Sequence, residues 1–317
     1  MAFDAETTTD EVLAGRDLDG LRVIVSGASG GLGEETARAL AAHGAQVTLT
    51  ARDRERGEAA CERVRAATGS KAVDLGLLEL ADPDSVRTFA ESWQASHDGL
   101  DVLINNAGIM ACPLARTPAG HEMQFATNHL GHFMLTGLLL PALRKGHRPR
   151  IVNLSSAAHK LSSVDFDDPH FERREYDKWN SYGQSKTANV LFSVGLERRF
   201  GSEGIHALAL HPGGIMTDLG RHLAESDVME LMRRAKVDPG EGLKMKTVPQ
   251  GAATTVWAAT APELEGKGGI YLEDCQIAPR CSGALEDPGV MDYAVDPEAA
   301  ERLWSLSEEH TGYSFGR

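Results

Sequence analysis

Basic charge is what this chain most lacks. Its 317 residues carry 32 Lys and Arg against 46 Asp and Glu, a net charge of −14, whereas a protein that grips nucleic acid through phosphates needs a basic footprint. Nucleic acid is not an expected partner. Cysteine is scarce as well: Cys61, Cys112, Cys275 and Cys281 are scattered without a CxxC pair, which argues against a disulfide framework or a zinc site and for free thiols in a cytoplasmic setting. Long apolar runs are missing too. The most apolar stretch, Leu130 to Leu143, is interrupted by Gly131, His132, Thr136, Gly137 and Pro141 and falls short of the roughly 20 apolar residues a membrane span requires, so it reads as a buried helix. The opening, MAFDAETTTDEVLAGRDLDG, is acidic and has neither a basic leader nor an apolar core, so no secretory or transit segment is expected.

What is present is enough apolar material, 42% of residues, to bury a full core. Short β-branched runs at Val23–Val25, Val47–Ala51, Leu75–Leu80, Val102–Ile104, Ile151–Leu154, Ile205–Leu210 and Ile270–Leu272 are mostly continuous apolar rather than alternating, as strands covered on both faces should be. Helical patterns lie between them near Leu32–His43, Arg54–Thr68, Asp84–His97, Glu122–Arg144, Ser181–Phe200 and Gln250–Thr260, with a last helix near Pro297–Glu309. This alternation predicts an α/β fold with a doubly wound parallel sheet, whose ligands bind at the carboxyl ends of the strands. No linker divides the chain, so a single domain over 21–317 with an N-terminal lead over 1–20 is expected.

The first strand runs into Ser26-Gly27-Ala28-Ser29-Gly30-Gly31-Leu32-Gly33 and then a helix. Glycines there permit a tight turn, let backbone approach a pyrophosphate, and leave helix N–H groups facing an anion. The spacing is G-x-x-x-G-x-G, not G-x-G-x-x-G, and such a turn can also serve packing alone. Further along, Tyr182 and Lys186 stand four apart at the start of a helix, so both reach one ligand. An ammonium beside a phenol would draw the phenol's pKa down toward neutrality and make Tyr182 a proton donor or acceptor.

With Asn105-Asn106-Ala107-Gly108 after the fourth strand, Asn128 in FATNHLGHF, Ser156 closing IVNLSS, Tyr182 to Lys186 as YxxxK, and His211-Pro212-Gly213 followed by Thr217, the chain resembles the short-chain dehydrogenase/reductase family in its motif order. The resemblance implies a Rossmann-type fold and hydride exchange between a nicotinamide and a carbonyl or alcohol carbon. By the same resemblance, Tyr182 transfers the proton, Ser156 hydrogen-bonds the reacting oxygen, Lys186 holds the ribose, and Asn128 holds a relay water. The cofactor would rest on Gly27, Ser29, Gly31, Leu32, Gly33, Asn106, Ala107, Gly108, Pro212, Gly213 and Thr217. Strand alternation turns Ser155 away from the site.

Cofactor choice turns on VTLTARDRERG. Ala51 stands where an NAD-binding acid would be and Arg52 follows, as in NADP-dependent members of the family, so NADP is preferred and NAD is the alternative. Asp53 is either that acid or a helix cap. The family's Asp-Leu pair near the adenine aligns with Glu79-Leu80, a departure. IVNLSSAAH, SKTANVLF and HPGGIMTDL resemble the retinol dehydrogenase-like branch, which implies a small hydrophobic carbonyl or alcohol as substrate, and pairing through the helices at 122–144 and 181–200 into a homodimer or homotetramer. A catalytically silent NADP-binding regulator on the same fold is the alternative function.

An insert at about 157–180 carries Phe166, Phe171, Tyr176 and Trp179, which either wall a substrate pocket or pin the loop. A methionine-bearing segment at about 214–249 takes the place of a lid. His129 and His132 have the spacing of a helical metal pair, and His121-Glu122 begins a phrase like HExxH that Phe125 fails to close. No metal site is expected.

Overall fold

The computed structural model describes residues 3–220, 223–235, 245–285 and 287–316. A short helix α1 (Thr9–Leu13) leads into alternating strands and helices: β1 (Arg22–Val25), α2 (Gly31–Ala42), β2 (Gln46–Ala51), α3 (Arg54–Thr68), β3 (Val73–Leu77), α4 (Pro83–Ser96) and β4 (Val102–Asn105). Then come α5 (Met123–Phe125), a π-turn (Ala126–Leu130), α6 (Gly131–Leu143), β5 (Arg150–Leu154), α7 (Lys178–Phe200) and β6 (His206–His211). The chain continues through α8 (Glu225–Ala235), α9 (Val248–Thr260), β7 (Ile270–Glu273), β8 (Gln276–Ile277) and α10 (Pro297–Thr311). The strands form one sheet in the order β3-β2-β1-β4-β5-β6-β7-β8. β1 to β7 pair in parallel and β8 closes the edge antiparallel to β7. Strand order reverses between β1 and β4, which opens a crevice at their carboxyl ends.

The apolar runs are continuous because successive residues serve two cores. Val23 and Val25 pack with α2 and α9 on one face, while Ile24 packs with α4 and α6 on the other. In β4, Val102 and Ile104 divide from Leu103 in the same way. Side chains this completely buried contribute about 1.5–3 kcal/mol each relative to exposure.

Four features refine or depart from the sequence reading. β3 ends at Leu77 rather than reaching residue 80, because the chain turns at Glu79 and Asp82 then caps α4, its side chain accepting from Asp84 N. The lead before residue 21 carries α1, which has a Thr8/Glu11 capping box and buries Val12 and Leu13 in the core. The helix expected over 122–144 is interrupted by the π-turn around Asn128. Within the lid segment at 214–249, residues 225–235 form a helix, and residues 221–222 and 236–244 lie outside the described residues. No helix among the described residues is long and apolar enough to cross a membrane.

Candidate active site

The glycine turn at the end of β1 is locked to the loop after β4. Gly27 has φ +64°, and a Cβ there would lie 2.6 Å from Ala107 Cβ; a Cβ on Gly33 would sit 2.7 Å from Gly27 O. Any side chain at either position would force the turn and loop apart. Asn106 Nδ2 donates to Ser26 O (2.7 Å) and Gly27 O (3.1 Å), and Ser26 Oγ accepts from the backbone N–H groups of Asn106 and Ala107, both at 2.9 Å. At the start of α2, Gly30 offers no side-chain cap, so the first N–H groups remain available to an anion. A cleft of about 490 Å³ opens beside this helix end, lined by Ser29, Gly30, Gly31, Arg56, Arg63 and Thr217 among others.

These features fit a dinucleotide. Thr217 lies against Gly31, 3.3 Å from where a Cβ would be, so the segment after β6 returns to the glycine turn; Gly213 makes that return with φ +98°. Pro212 is half-buried beside it, and Leu32 leans on α9, facing Gly251. At the end of β2, Ala51 is buried and Arg52 exposed. Asp53 is a helix cap: its Oδ1 accepts from Arg56 N at 2.8 Å at the start of α3. Glu79 lies 3.9 Å from the Arg52 guanidinium, and Leu80 is buried in the core against Gly131. Arg63, which the sequence reading passed over, lines the cleft while paired with Glu34.

Ser156 follows β5 and caps a 3-10 turn, its Oγ accepting from Ala158 N at 3.2 Å. Its neighbour Ser155 points the other way and donates to Lys186 O at 2.8 Å. Across from this turn runs the first part of α7. A Cβ on Gly183 would come within 2.7 Å of Ala158 O, so glycine beside Tyr182 lets the helix lie flush on the serine turn. Tyr182 is buried, and a hydrogen bond with Ser156 favours its phenolate. Lys186 is buried one turn on, its Nζ donating to Leu154 O at 3.0 Å.

The electrostatics differ from the sequence reading. Burial pushes the Tyr182 phenol up to about 12, the Ser156 hydrogen bond offsetting only part of that. Burial also draws the Lys186 ammonium down to about 8. With Nζ 5.6 Å from the phenol ring centroid, the loss of water outweighs the attraction between the pair.

Asn128 is wholly buried, and both ends of its amide are hydrogen-bonded. Its Oδ1 accepts from Ile109 N (2.8 Å), and its Nδ2 donates to Ile109 O and Ser185 Oγ (both 2.9 Å). It thus ties the 105–109 loop to α7, and Gly108 is held facing both Asn128 Oδ1 and Lys186 Nζ.

Around Tyr182 the walls are apolar. Ala111, Ala158 and Trp179 form a buried cluster with it, flanked by Met110, Leu161, Leu223 and Leu231, the last two from the segment after β6. Trp179 Nε1 has no hydrogen-bond partner among the described residues. The other insert aromatics pin the loop: Arg302 lies over Phe166, Phe171 packs edge-on against Tyr176, and Tyr176 donates to Cys112 O at 2.9 Å. The two readings of the insert therefore divide residue by residue.

The structure also gathers three histidines that the sequence reading never grouped, His121, His170 and His310, with ring nitrogens within 4.8 Å of one another. His170 Nδ1 accepts from Glu122 N at 3.2 Å, and its Nε2 shares a 2.6 Å hydrogen bond with His310 Nδ1. A metal on His170 Nε2 would force that ring's proton onto Nδ1, against the Glu122 N–H. The present arrangement is a hydrogen-bonded stack. Glu122, the acid of the HExxH-like phrase, caps α5 through Gln124 N and Phe125 N.

The family model described as short chain dehydrogenase matches residues 22–227. A Streptomyces antibioticus protein named "Probable oxidoreductase" is 48% identical over 301 residues, covering 92% of this chain and 98% of that protein. Human retinol dehydrogenase 12 is 39% identical over 298 residues, covering 93% of this chain and 87% of that protein. Among solved structures, an uncharacterized protein from Mycobacterium paratuberculosis superposes with a TM-score of 0.74 at 36% identity, over 96% of this chain and 98% of that one.

Proposed function

The chain belongs to the short-chain dehydrogenase/reductase family, in its retinol dehydrogenase-like branch, and from that membership we propose an NADP-preferring oxidoreductase that interconverts small lipophilic carbonyls and alcohols. The observation that carries this reading is the placement of Tyr182, Ser156 and Lys186 at the crevice end of β5 and α7 under an apolar wall. When bound, the nicotinamide supplies the hydride. The chain supplies the rest.

Tyr182 donates its phenolic proton to the oxygen of a carbonyl being reduced, and the Ser156 hydroxyl hydrogen-bonds the same oxygen as negative charge develops there. Lys186 and the backbone at Gly108 hold the ribose side of the dinucleotide, while Ser29, Gly31 and Gly33 leave room for its pyrophosphate. Arg52, with no acid at Ala51, favours a 2′-phosphate over a free 2′-hydroxyl. The walls of Ala111, Ala158, Trp179, Leu161 and Leu223 exclude water and select an apolar substrate.

The test is a panel of aliphatic and aromatic aldehydes, ketones and alcohols, followed by NADPH absorbance and repeated with NADH. Turnover of lipophilic members is expected, with a loss of about 10²–10⁴-fold in Tyr182→Phe at unchanged NADPH affinity. Tight NADPH binding with no turnover across the panel would favour the silent regulator instead.

A further inference from the structure

His132 lies on the first turn of α6, wholly buried, between the glycine turn and Asn128. Its Nε2 is 2.9 Å from Ser26 Oγ, and its Nδ1 is 3.0 Å from Asn128 O. Counting protons fixes the roles. Ser26 Oγ already accepts from Asn106 N and Ala107 N, which uses both of its lone pairs, so its own proton goes to His132 Nε2. Nε2 is therefore the acceptor, and the ring's one proton is on Nδ1, donated to the Asn128 carbonyl. Burial supports the neutral form, holding the imidazole down to about 4.

These bonds close a ring. Ser26 grips the 105–109 loop at Asn106 and Ala107; Asn128 grips the same loop at Ile109 through a backbone N–H and a backbone carbonyl. His132 joins the two grips. Inside the ring sits Gly108, facing Lys186 Nζ at 3.6 Å from its virtual Cβ. Among the described residues, no other side chain hydrogen-bonds to both Ser26 and Asn128.

We propose that His132 is a positioning residue, a neutral imidazole of fixed tautomer that sets the glycine turn, the Gly108 loop and Asn128 in one register, so that dinucleotide affinity and the placement of Lys186 depend on it together. The inference rests on the dinucleotide reading above. It separates into two halves that chemistry can address one at a time. Glutamine at 132 extends its carbonyl to where Nε2 lies and keeps the acceptor for Ser26; asparagine places its amide near Nδ1 and keeps the donor to Asn128. Phenylalanine fills the space and keeps neither.

The experiment measures NADPH dissociation by quenching of protein fluorescence, kcat and its pH profile with nonanal as probe, and the thermal midpoint. His132→Phe is expected to weaken NADPH and lower kcat, each by about tenfold or more, since it removes the acceptor of a buried hydroxyl and a side-chain donor to a buried carbonyl. His132→Gln should recover most of the NADPH affinity while kcat stays low. His132→Asn should do the reverse. A lowered thermal midpoint in all three variants, with NADPH affinity, kcat per folded molecule and pH profile unchanged, would reduce His132 to core packing and overturn the proposal. If His132→Phe does not fold, the opposite recoveries of His132→Gln and His132→Asn still decide it, and equal losses in both would overturn it. Wild-type protein that binds no NADPH would instead sink the dinucleotide reading, an outcome read before any variant is made.

Discussion

Lys186 Nζ lies 5.6 Å from the centre of the Tyr182 ring, one turn along α7, and both side chains are almost completely out of water. The two shifts run in opposite directions: the phenol is pushed up to about 12 and the ammonium drawn down to about 8. Each moves toward its neutral form, as burial demands. Before a dinucleotide arrives, the site at neutral pH therefore holds a protonated phenol next to an ammonium that is close to giving up its proton.

A pH profile follows for the reductive direction. In the proposed mechanism reduction needs the phenol O–H, present below about 12, and the ammonium, present below about 8. The kcat/KM for carbonyl reduction should stay level through neutral pH and fall as pH rises through about 8. In Lys186→Arg the cation persists, so the fall should move to higher pH even if the overall rate drops. A wild-type profile that stays level well above this value would remove Lys186 from the acid–base system.

The same buried ammonium costs stability. A lysine whose folded pKa lies below its ordinary 10.5 binds fewer protons folded than unfolded between about 8 and 10.5, so stability rises with pH across that window and the full cost applies below it. Lys186→Met should therefore stabilise the fold at pH 7 by about 1–3 kcal/mol while abolishing turnover. Leu154 O is not orphaned by the change, because Asn189 Nδ2 also donates to it at 2.9 Å. Urea unfolding at pH 7 and again near pH 10 is the check. The gain should shrink at the higher pH, and a destabilised variant at pH 7 would contradict the argument.

The parallel strands and the motif residues were legible in the sequence because each rests on local pattern: apolar runs for strands covered on both faces, glycines where backbones touch, Tyr182 and Lys186 one turn apart. The cap role of Asp53 was legible as one of two options, and only the Arg56 N hydrogen bond decided between them. The π-turn was not legible, since widening a turn around Asn128 leaves the apolar pattern of FATNHLGHF unchanged. Nor was the raised Tyr182 pKa, because the sequence shows the lysine four residues on but not the indole of Trp179 and the leucines that remove water. For α1 there was a usable signal in Thr8 and Glu11, the T-x-x-E of a capping box. The link from His132 to Ser26 joins residues far apart in the chain, and no local pattern announces it.

Arg52 offers a direct test of cofactor choice. Its side chain is exposed, with Glu79, 3.9 Å away, its only ion-pair neighbour among the described residues, so it can turn to a ligand at little energetic cost. Arg52→Ala should raise KM for NADPH by about 10–100-fold, the effect of losing a charge-assisted contact, and leave KM for NADH nearly unchanged. Arg52→Asp should go further and favour NADH, by supplying an acceptor for the ribose hydroxyl. Equal effects on both cofactors would place the 2′-phosphate elsewhere, with the cleft at Arg56 and Arg63 as the next position to vary.

The association expected through the helices at 122–144 and 181–200 meets an obstacle inside the chain. Nearly all of α6 and most of α7 is buried within one molecule. Trp304 of α10 packs against Phe133 of α6 and Phe192 of α7, and Ala300 and Leu303 join Ala188 and Leu191. Beyond α10, Phe315 packs against Phe133 and Phe200, and Tyr313 lies where a Cβ on Gly137 would be. Residues 297–315 pack over these faces of α6 and α7, and on that ground we propose a monomer as the species seen in light scattering. Trp304→Ala tests the cover itself: truncating a side chain this buried should cost about 3–5 kcal/mol in unfolding free energy. A shortened chain ending before Pro297 should expose the apolar faces of α6 and α7 and self-associate, at a concentration where the full chain does not. A dimer of the full chain that survives dilution, with its interface mapped to α6 and α7 by hydrogen exchange, would require α10 to swing away and would defeat this reading of the C-terminal helix.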